Sequence, residues 1–360
     1  MAGHSRISLY FPDKHLFPEK SCIVLGGDAG GTKVNLAFFE ARSTGVSLLK
    51  SSTYHSGSFP SVNKILQQFI LENPEYIPQK ICLGVAGPVF EGRVTVTNLP
   101  WNLDANEIAA ATGVSQVILL NDLEATAYGL AGLEEKDYAV LQKGDPAVGG
   151  GNISILSPGT GLGEAGLYWD GQVHHPFATE GGHCDFSCRD ETDLQLHDFM
   201  LKKYKVVSWE SVIAGSGIYS IYQFLDEVKK RGTSAAMADK LKTADPSAVI
   251  SQAAIEETDE VSIEAMRLFV RYLARECCNL ILKMKSTGGL FLAGGIPPKI
   301  LPLLQGPWFY ENMLDCDRMQ DLVKKVPVQV ILNEKAPMIG AGWYGAYSSI
   351  NMVQSQKTIA

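Results

Sequence analysis

The chain has 360 residues, 46% hydrophobic and 19% charged, with a formal net charge of −8. That length supports two lobes with separate cores, and an acidic balance without a basic stripe argues against a nucleic acid partner. No apolar run approaches the roughly 20 residues of a membrane span, and neither the start MAGHSRISLYFPDK nor the end QKTIA reads as a targeting signal; no membrane is expected and the location is read as cytoplasmic.

In chain order, CIVLGG (22–27) and KVNLAFF (33–39) read as strands joined by the turn DAGGT, with a third strand near 46–55. SVNKILQQFILENPE has helical spacing, and KICLGVAGP reads as a buried strand leading through a polar hairpin into RVTVTN. Asp104 stands three residues before Glu107, which predicts a helix over 104–112. VILLND (117–122) is a short apolar strand ending in two polar residues. After about residue 133 the plan begins again. YAVLQK and NISILSPGTGLGEAGLYW give strands with a glycine turn between the last two. Helices dominate 191–285, with a long one from Ser262 to Lys285; GGLFLAGGIP and VPVQVIL are strands, and PMIGAGWYGAYSSI closes the chain with helical spacing. A strand–glycine turn–strand unit opens each half, so two α/β lobes with a cleft between them is the simplest architecture.

The 35 glycines gather in short clusters beside apolar runs. Three glycine turns follow apolar strands: Gly27–Thr32, Gly159–Gly163 and Gly294–Gly295. Without a Cβ, successive N–H groups can point to one side and hold phosphate, and the hydroxyls of Thr32 and Thr160 would add donors. Taken singly, each of these turns reads better as an ordinary hairpin. Gly161, Gly163 and Gly166 match G-x-G-x-x-G, but LYWDGQV follows where the dinucleotide fingerprint needs a helix. In the run Gly26–Lys33, Thr32 precedes Lys33, the reverse of a P-loop. The seven cysteines are scattered and odd in number, which suits reduced thiols. His183, Cys184 and Cys188 lack the fourth ligand and the spacing of a zinc site.

Gly27-Asp28-Ala29-Gly30-Gly31-Thr32-Lys33 resembles the first phosphate motif of the hexokinase–actin–Hsp70 superfamily, and Ser157-Pro158-Gly159-Thr160-Gly161-Leu162-Gly163 resembles the second. Leu292-Ala293-Gly294-Gly295-Ile296 is similar to its adenosine motif. Asn121-Asp122, Glu180-Gly181-Gly182-His183 and Trp209-Glu210-Ser211-Val212 narrow the resemblance to the bacterial-type glucokinases, over about 22–350. The resemblance implies two lobes of actin/hexokinase-like (ribonuclease H-like) topology with an active-site cleft, drawn here as 1–132 plus 336–360 and 133–335. It also implies ATP as phosphoryl donor, Mg²⁺, D-glucose as acceptor and a homodimer.

Residue by residue, the resemblance makes Asp122 the base for the sugar's 6-hydroxyl, Asp28 the Mg²⁺ holder, and Asn121, Asp122, Glu180, His183 and Glu210 the sugar site. Gly27, Asp28, Gly30, Gly31, Thr32, Lys33, Gly159, Thr160, Gly161, Gly294 and Gly295 fall to the nucleotide. Asn98 and Trp101 are weaker candidates for the pocket rim. Each residue has a plainer reading beside this one. Asp122 could cap the helix LEATAYGL, Asp28 could be a turn residue, Glu180 and His183 could be polar loop after PFAT, and Glu210 could be surface near a helix start. The rival functions are a kinase for mannose or fructose and a non-catalytic sugar sensor. The Cys-rich zinc motif of some related kinases is incomplete here, and no helix-turn-helix of the related repressors precedes the first turn.

Overall fold

β1 (Cys22–Ala29) and β2 (Lys33–Arg42) pair antiparallel through the turn at 30–32, and β3 (Gly45–His55) extends the meander. The structure, a computed structural model, describes residues 7–12, 21–43, 45–95, 101–145 and 150–348, so Asn98 lies outside the described residues. β4 (Lys80–Val85) adds in parallel to β1. A ribbon of β5 (Arg93–Thr95) and β6 (Asn102–Asp104) precedes β7 (Gln116–Asn121), which pairs in parallel with β4. The sheet order is β3-β2-β1-β4-β7. β6 is too short for strand periodicity to show. Trp101, just before it, is buried with Val94 and Leu103 in the core.

The second sheet repeats this plan. β8 (Tyr138–Gln142) leads to β9 (Ile153–Pro158), β10 (Leu162–Trp169) and β11 (His174–Thr179), followed by β12 (Gly289–Leu292) and β13 (Val328–Ile331). The order is β11-β10-β9-β12-β13-β8, with β12 parallel to β9 and β13. Both sheets thus hold a three-strand meander followed by two parallel strands, the actin/hexokinase-like plan, and in the second β8 adds antiparallel to β13 at the edge. β11 was assigned no element from sequence, because HHPFAT carries no apolar alternation.

The chain divides into unit 1, Met1–Asp137, Leu167–Ala178 and Asn333–Ala360, and unit 2, Tyr138–Gly166 and Thr179–Leu332. Residues 167–178, drawn from sequence in the second lobe, cluster with unit 1, where His174 bridges to Leu9. No helix among the described residues is long and apolar enough to cross a membrane.

In unit 1, helix α1 (Val62–Glu72) buries Val62, Ile65, Leu66 and Phe69, the i, i+3, i+4, i+7 stripe of an amphipathic helix. Phe69 stacks on Phe38 at 4.6 Å between ring centroids, and Asn73 ends the helix by donating its amide to the Phe69 carbonyl. Helix α2 (Ala105–Thr112) is capped by Asp104, which accepts from the Asn106 N–H, and ends on left-handed Gly113. Helix α3 (Asp122–Gly129) follows β7 directly.

Unit 2 holds the longer helices. These are α4 (Glu191–Leu201), α5 (Trp209–Ile213), α6 (Gly215–Glu227), α7 (Ala235–Thr243), α8 (Pro246–Ile255) and α9 (Glu260–Met284), followed by the short α10 (Leu301–Leu304), α11 (Pro307–Met313) and α12 (Gln320–Val323). α9 starts two residues earlier than its periodicity suggested, because Asp259 caps it through the Ser262 N–H.

The chain returns to unit 1 as α13 (Ala336–Ala346), which packs against α3 and β1. Glycine is required at this crossing. A Cβ on Gly340 would run into the Ala125 carbonyl and the Gly129 N–H, and one on Gly129 into the Ala336 carbonyl. Gly340→Ala is therefore expected to force α3 and α13 apart at an overpacking cost of about 1–3 kcal/mol, lowering the melting temperature by several degrees. A melting curve within one degree of the parent would contradict the close crossing.

Candidate active site

In unit 1 the candidate residues lie at the carboxyl ends of β1 and β7, where parallel α/β sheets present ligand-facing groups. The β1–β2 register sets Asp28 opposite Asn35 on one face. Thr53 on β3 donates its hydroxyl to Asn35 Oδ1 at 2.8 Å, which orients the amide so that Nδ2 donates to Asp28 Oδ2 at 3.3 Å. Burial pushes the Asp28 carboxyl up to about 6, against the downward pull of Asn35 and Lys33. Among the described residues Asn35 is the side chain that donates to this carboxyl, so an oxygen donor is available to a hard cation. A lone carboxylate fits Mg²⁺, which keeps several waters and takes few protein ligands. Among the described residues no group of three or more His, Cys, Asp or Glu could hold a metal ion.

The raised Asp28 value has a sign that can be tested. A carboxyl with a folded value near 6 against 3.8 costs the fold stability as pH rises from about 4 to 6. Asp28→Asn removes that cost and still accepts from Asn35. It is expected to melt a few degrees higher than wild type at pH 7.5, with the gain vanishing below about pH 4, and to lose the extra stabilisation by Mg²⁺-ATP. Equal melting temperatures at pH 7.5 would contradict the burial of charge at this position.

The turn itself is short. Gly30 N–H donates to the Lys33 carbonyl at 3.1 Å, and Ser56 braces the turn by donating its hydroxyl to the Gly30 carbonyl and its N–H to the Thr32 carbonyl, both at 2.9 Å. Gly31 and Thr32 complete the bend, while Lys33 starts β2 and pairs with Glu334 at 2.9 Å on the surface. Gly27, read from sequence as part of the turn, lies inside β1, where a Cβ would meet Leu36 and Leu83. Its absence of side chain serves packing.

At the end of β7, Asn121 caps α3: its Oδ1 accepts from the Leu123 and Glu124 N–H groups at 2.9 and 3.3 Å, and its Nδ2 donates to the Gly87 carbonyl. The cap is thus Asn121, not Asp122 as the plainer sequence reading had it. Asp122 is the first helical residue, and its Oδ1 accepts from the Leu123 N–H at 2.9 Å. The first turn of a helix favours negative charge. Gly84 on β4 lets α3 approach the sheet, since a Cβ there would meet Ala125.

In unit 2 the candidate residues gather around the turn between β9 and β10. Gly159 N–H donates to the Gly161 carbonyl at 2.8 Å across Thr160, and the first N–H of α6, on Gly215, donates to the Gly159 carbonyl at 2.9 Å. The turn after β12 lies against this one. Gly294 has φ +81°, and a Cβ there would strike the Pro158 carbonyl; Gly295 stands in open space.

Glu180, Gly181, Gly182 and His183 form a single tight turn after β11, and Gly182 presses against the Leu162 backbone. Glu210 sits in the first turn of α5, which is closed by a capping box between Ser208 and Ser211. The Trp209 N–H donates to the Cys184 carbonyl at 3.0 Å, and Phe186 meets the Trp209 ring edge-on, which ties the two segments together. The three residues chosen from sequence meet as a result: His183 Nε2 is 3.9 Å from Glu180 Oε2, and its Nδ1 is 4.0 Å from Glu210 Oε1. Glu210 Oε2 also accepts from the Leu162 N–H at 2.9 Å beside Gly161. Two carboxylates and an imidazole at this spacing, largely exposed, can accept from and donate to a polyol.

Asn35 escaped the sequence reading. The signal was a lone polar residue in the apolar run KVNLAFF, opposite Asp28 once the turn fixes the register.

A sequence profile described as Glucokinase matches residues 25–347. A glucokinase of a Synechocystis species is 39% identical over 349 residues, covering 90% of this chain and 98% of that protein. A glucokinase of Nostoc punctiforme is 38% identical over 333 residues, covering 89% and 97%. The crystal structure of a glucokinase from an Antarctic psychrotroph superposes with a TM-score of 0.76 at 28% identity, covering 91% of this chain and 99% of that one.

Proposed function

The chain belongs to the glucokinase family and is an ATP-dependent glucokinase; we propose that Asp122 is the base that takes the proton of the sugar's 6-hydroxyl. The sugar oxygen forms a bond to the γ-phosphorus of ATP, the bond from that phosphorus to the ADP oxygen breaks, and the hydroxyl proton ends on Asp122. Roles divide by unit. Unit 1 supplies Asp122, Asn121 as its neighbour and cap, and Asp28 with the Gly30–Thr32 turn and Lys33 for the phosphates. Unit 2 supplies Glu180, His183 and Glu210 for the sugar hydroxyls, and the Gly159–Gly161 and Gly294–Gly295 turns for the nucleotide. Asp28 would hold Mg²⁺, which when bound neutralises phosphate charge.

The observation that supports this reading most is the Glu210 carboxylate. One oxygen is held by the Leu162 N–H at a glycine turn and the other faces His183, so a hydroxyl-reading group is tied directly to a phosphate-type turn. A coupled assay with ATP against glucose, mannose and fructose tests it. Glucose is expected to lead by at least about tenfold in kcat/KM, the discrimination of about 1.4 kcal/mol that one polar contact can supply. A lead for mannose or fructose would move the assignment to that hexose, and no phosphorylation at all would leave a sugar sensor. A cytoplasmic location and a homodimer complete the proposal; a solution mass near twice the 39.1 kDa chain tests the dimer.

A further inference from the structure

Beneath the sugar-holding turn lies a pair of buried carboxyl groups that the reaction does not use. Glu164 projects from β10 and is 1% exposed; Glu276, on α9, is fully buried. A side chain at Gly181 would run into the Glu164 Oε2, so the turn Glu180–His183 rests on this carboxyl through a residue with no side chain of its own. The two segments are further laced by Thr179, whose hydroxyl donates to the Glu164 carbonyl at 3.1 Å and accepts from the Gly181 N–H at 3.3 Å.

The protonation of the pair follows from its donors. Glu276 is served on both oxygens: Oε1 accepts from Lys283 Nζ at 2.9 Å and Oε2 from Asn279 Nδ2 at 2.8 Å. Among the described residues no donor reaches the buried Glu164 Oε1, and the Glu164 carboxyl faces that of Glu276. A buried carboxylate oxygen beside a second carboxylate is costly, whereas a carboxylic acid can donate to it. Glu276 is therefore the ion and Glu164 the acid. Burial, then the Glu276 charge, pushes Glu164 up to about 7, with Lys283 pulling the other way. The titratable groups around Glu164 are Glu276, Cys277 and Lys283 on α9, with Cys184 on the sugar-holding segment facing Lys283. Glu180 and His183 on the turn itself are exposed, and Thr179 adds no charge.

We propose that Glu164 is a positioning residue for the sugar site: as a neutral acid hydrogen-bonded to the Glu276 carboxylate it forms the floor under Gly181, and its ionisation displaces the Glu180–His183 turn and weakens glucose binding. The inference rests on the assignment of that turn to the sugar. The sign follows from the acid form being the competent one. Glucose KM stays low on the acid side and rises as pH passes the Glu164 midpoint, while kcat and the KM for ATP do not follow that midpoint.

The test is glucose KM, ATP KM and kcat from pH 6 to 9 for the wild type, Glu164→Gln and Glu276→Gln, with melting curves to confirm folding. For a group titrating near 7, wild-type glucose KM is expected to rise roughly tenfold between pH 6 and 8. Glu164→Gln keeps the neutral donor and should hold glucose KM low and flat across the range. Glu276→Gln removes the neighbouring charge that opposes ionisation, so the rise should move to lower pH. A Glu164→Gln profile that superposes on the wild type, or a Glu276→Gln midpoint that does not move, would overturn the proposal while leaving the kinase assignment intact. Absence of glucose phosphorylation at every pH would overturn the kinase assignment and this inference with it.

Discussion

Asp122→Asn is expected to lower kcat by about 10²–10⁴-fold, the usual contribution of a positioned general base, with glucose affinity changed little. The structure makes this a clean substitution. An asparagine oxygen can accept from the Leu123 N–H as Asp122 Oδ1 does, and the cap of α3 is carried by Asn121. Helix, strand end and melting temperature should all survive, so lost turnover reports the lost proton acceptor. Calorimetry with glucose alone checks the first part, and single-turnover transfer from ATP checks the second. Retention of more than a tenth of kcat, a barrier change under about 1.4 kcal/mol, would remove Asp122 from the role of base.

Glu210→Ala is expected to cost both substrates, whereas Glu180→Ala should cost only the sugar. Glu180 is exposed, with its carboxylate 3.9 Å from His183 Nε2, so its loss removes contacts to hydroxyls at about 1.5–3 kcal/mol each, or about 10- to 150-fold in kcat/KM for glucose. Glu210 carries a second duty, because it accepts from the Leu162 N–H at the Gly159–Gly161 turn. Truncation leaves that N–H without its acceptor and loosens the turn, so the KM for ATP should rise several-fold beside a glucose loss of about 10²–10⁴-fold, two such contacts together. Glu210→Gln retains an acceptor for Leu162 and should keep ATP KM near the parent value. Identical ATP KM values in Glu210→Ala and wild type would show that the tie to the turn has no functional weight. Sequence reasoning treats Glu210 as a sugar contact alone; the second duty arises from a backbone contact 48 residues away.

The features legible in the sequence are those carried by contiguous pattern. The glycine turns follow apolar strands, α1 shows its buried stripe, and the recurrence of VLGGDAGGTKVNLAFF as SILSPGTGLGEAGLYW becomes two sheets that share a meander and two parallel strands, the second with β8 added at its edge. Asn121-Asp122 could be placed at a strand end, but which of the two caps α3 depends on side-chain geometry that neighbouring letters do not encode. Gly27 was read both as the end of the strand CIVLGG and as the start of the glycine turn; the structure places it inside β1, between Leu36 and Leu83. β11 was hidden because this edge strand, with His174 buried and Phe177 and Ala178 exposed, has no apolar alternation for sequence to show. Glu164 and Glu276 were invisible, since a charged letter in GLGEAGLYW or in a long helix reads as surface until packing buries it.

The central claim is tested most directly by the product. Incubation with ATP, Mg²⁺ and glucose, followed by phosphorus–proton correlation in NMR, identifies the oxygen that received the phosphoryl group. The account predicts a single product, phosphorylated on the 6-oxygen and formed one for one with ADP, with that signal lost in Asp122→Asn. Phosphate on another sugar oxygen, or ADP formed without a sugar phosphate, would contradict it.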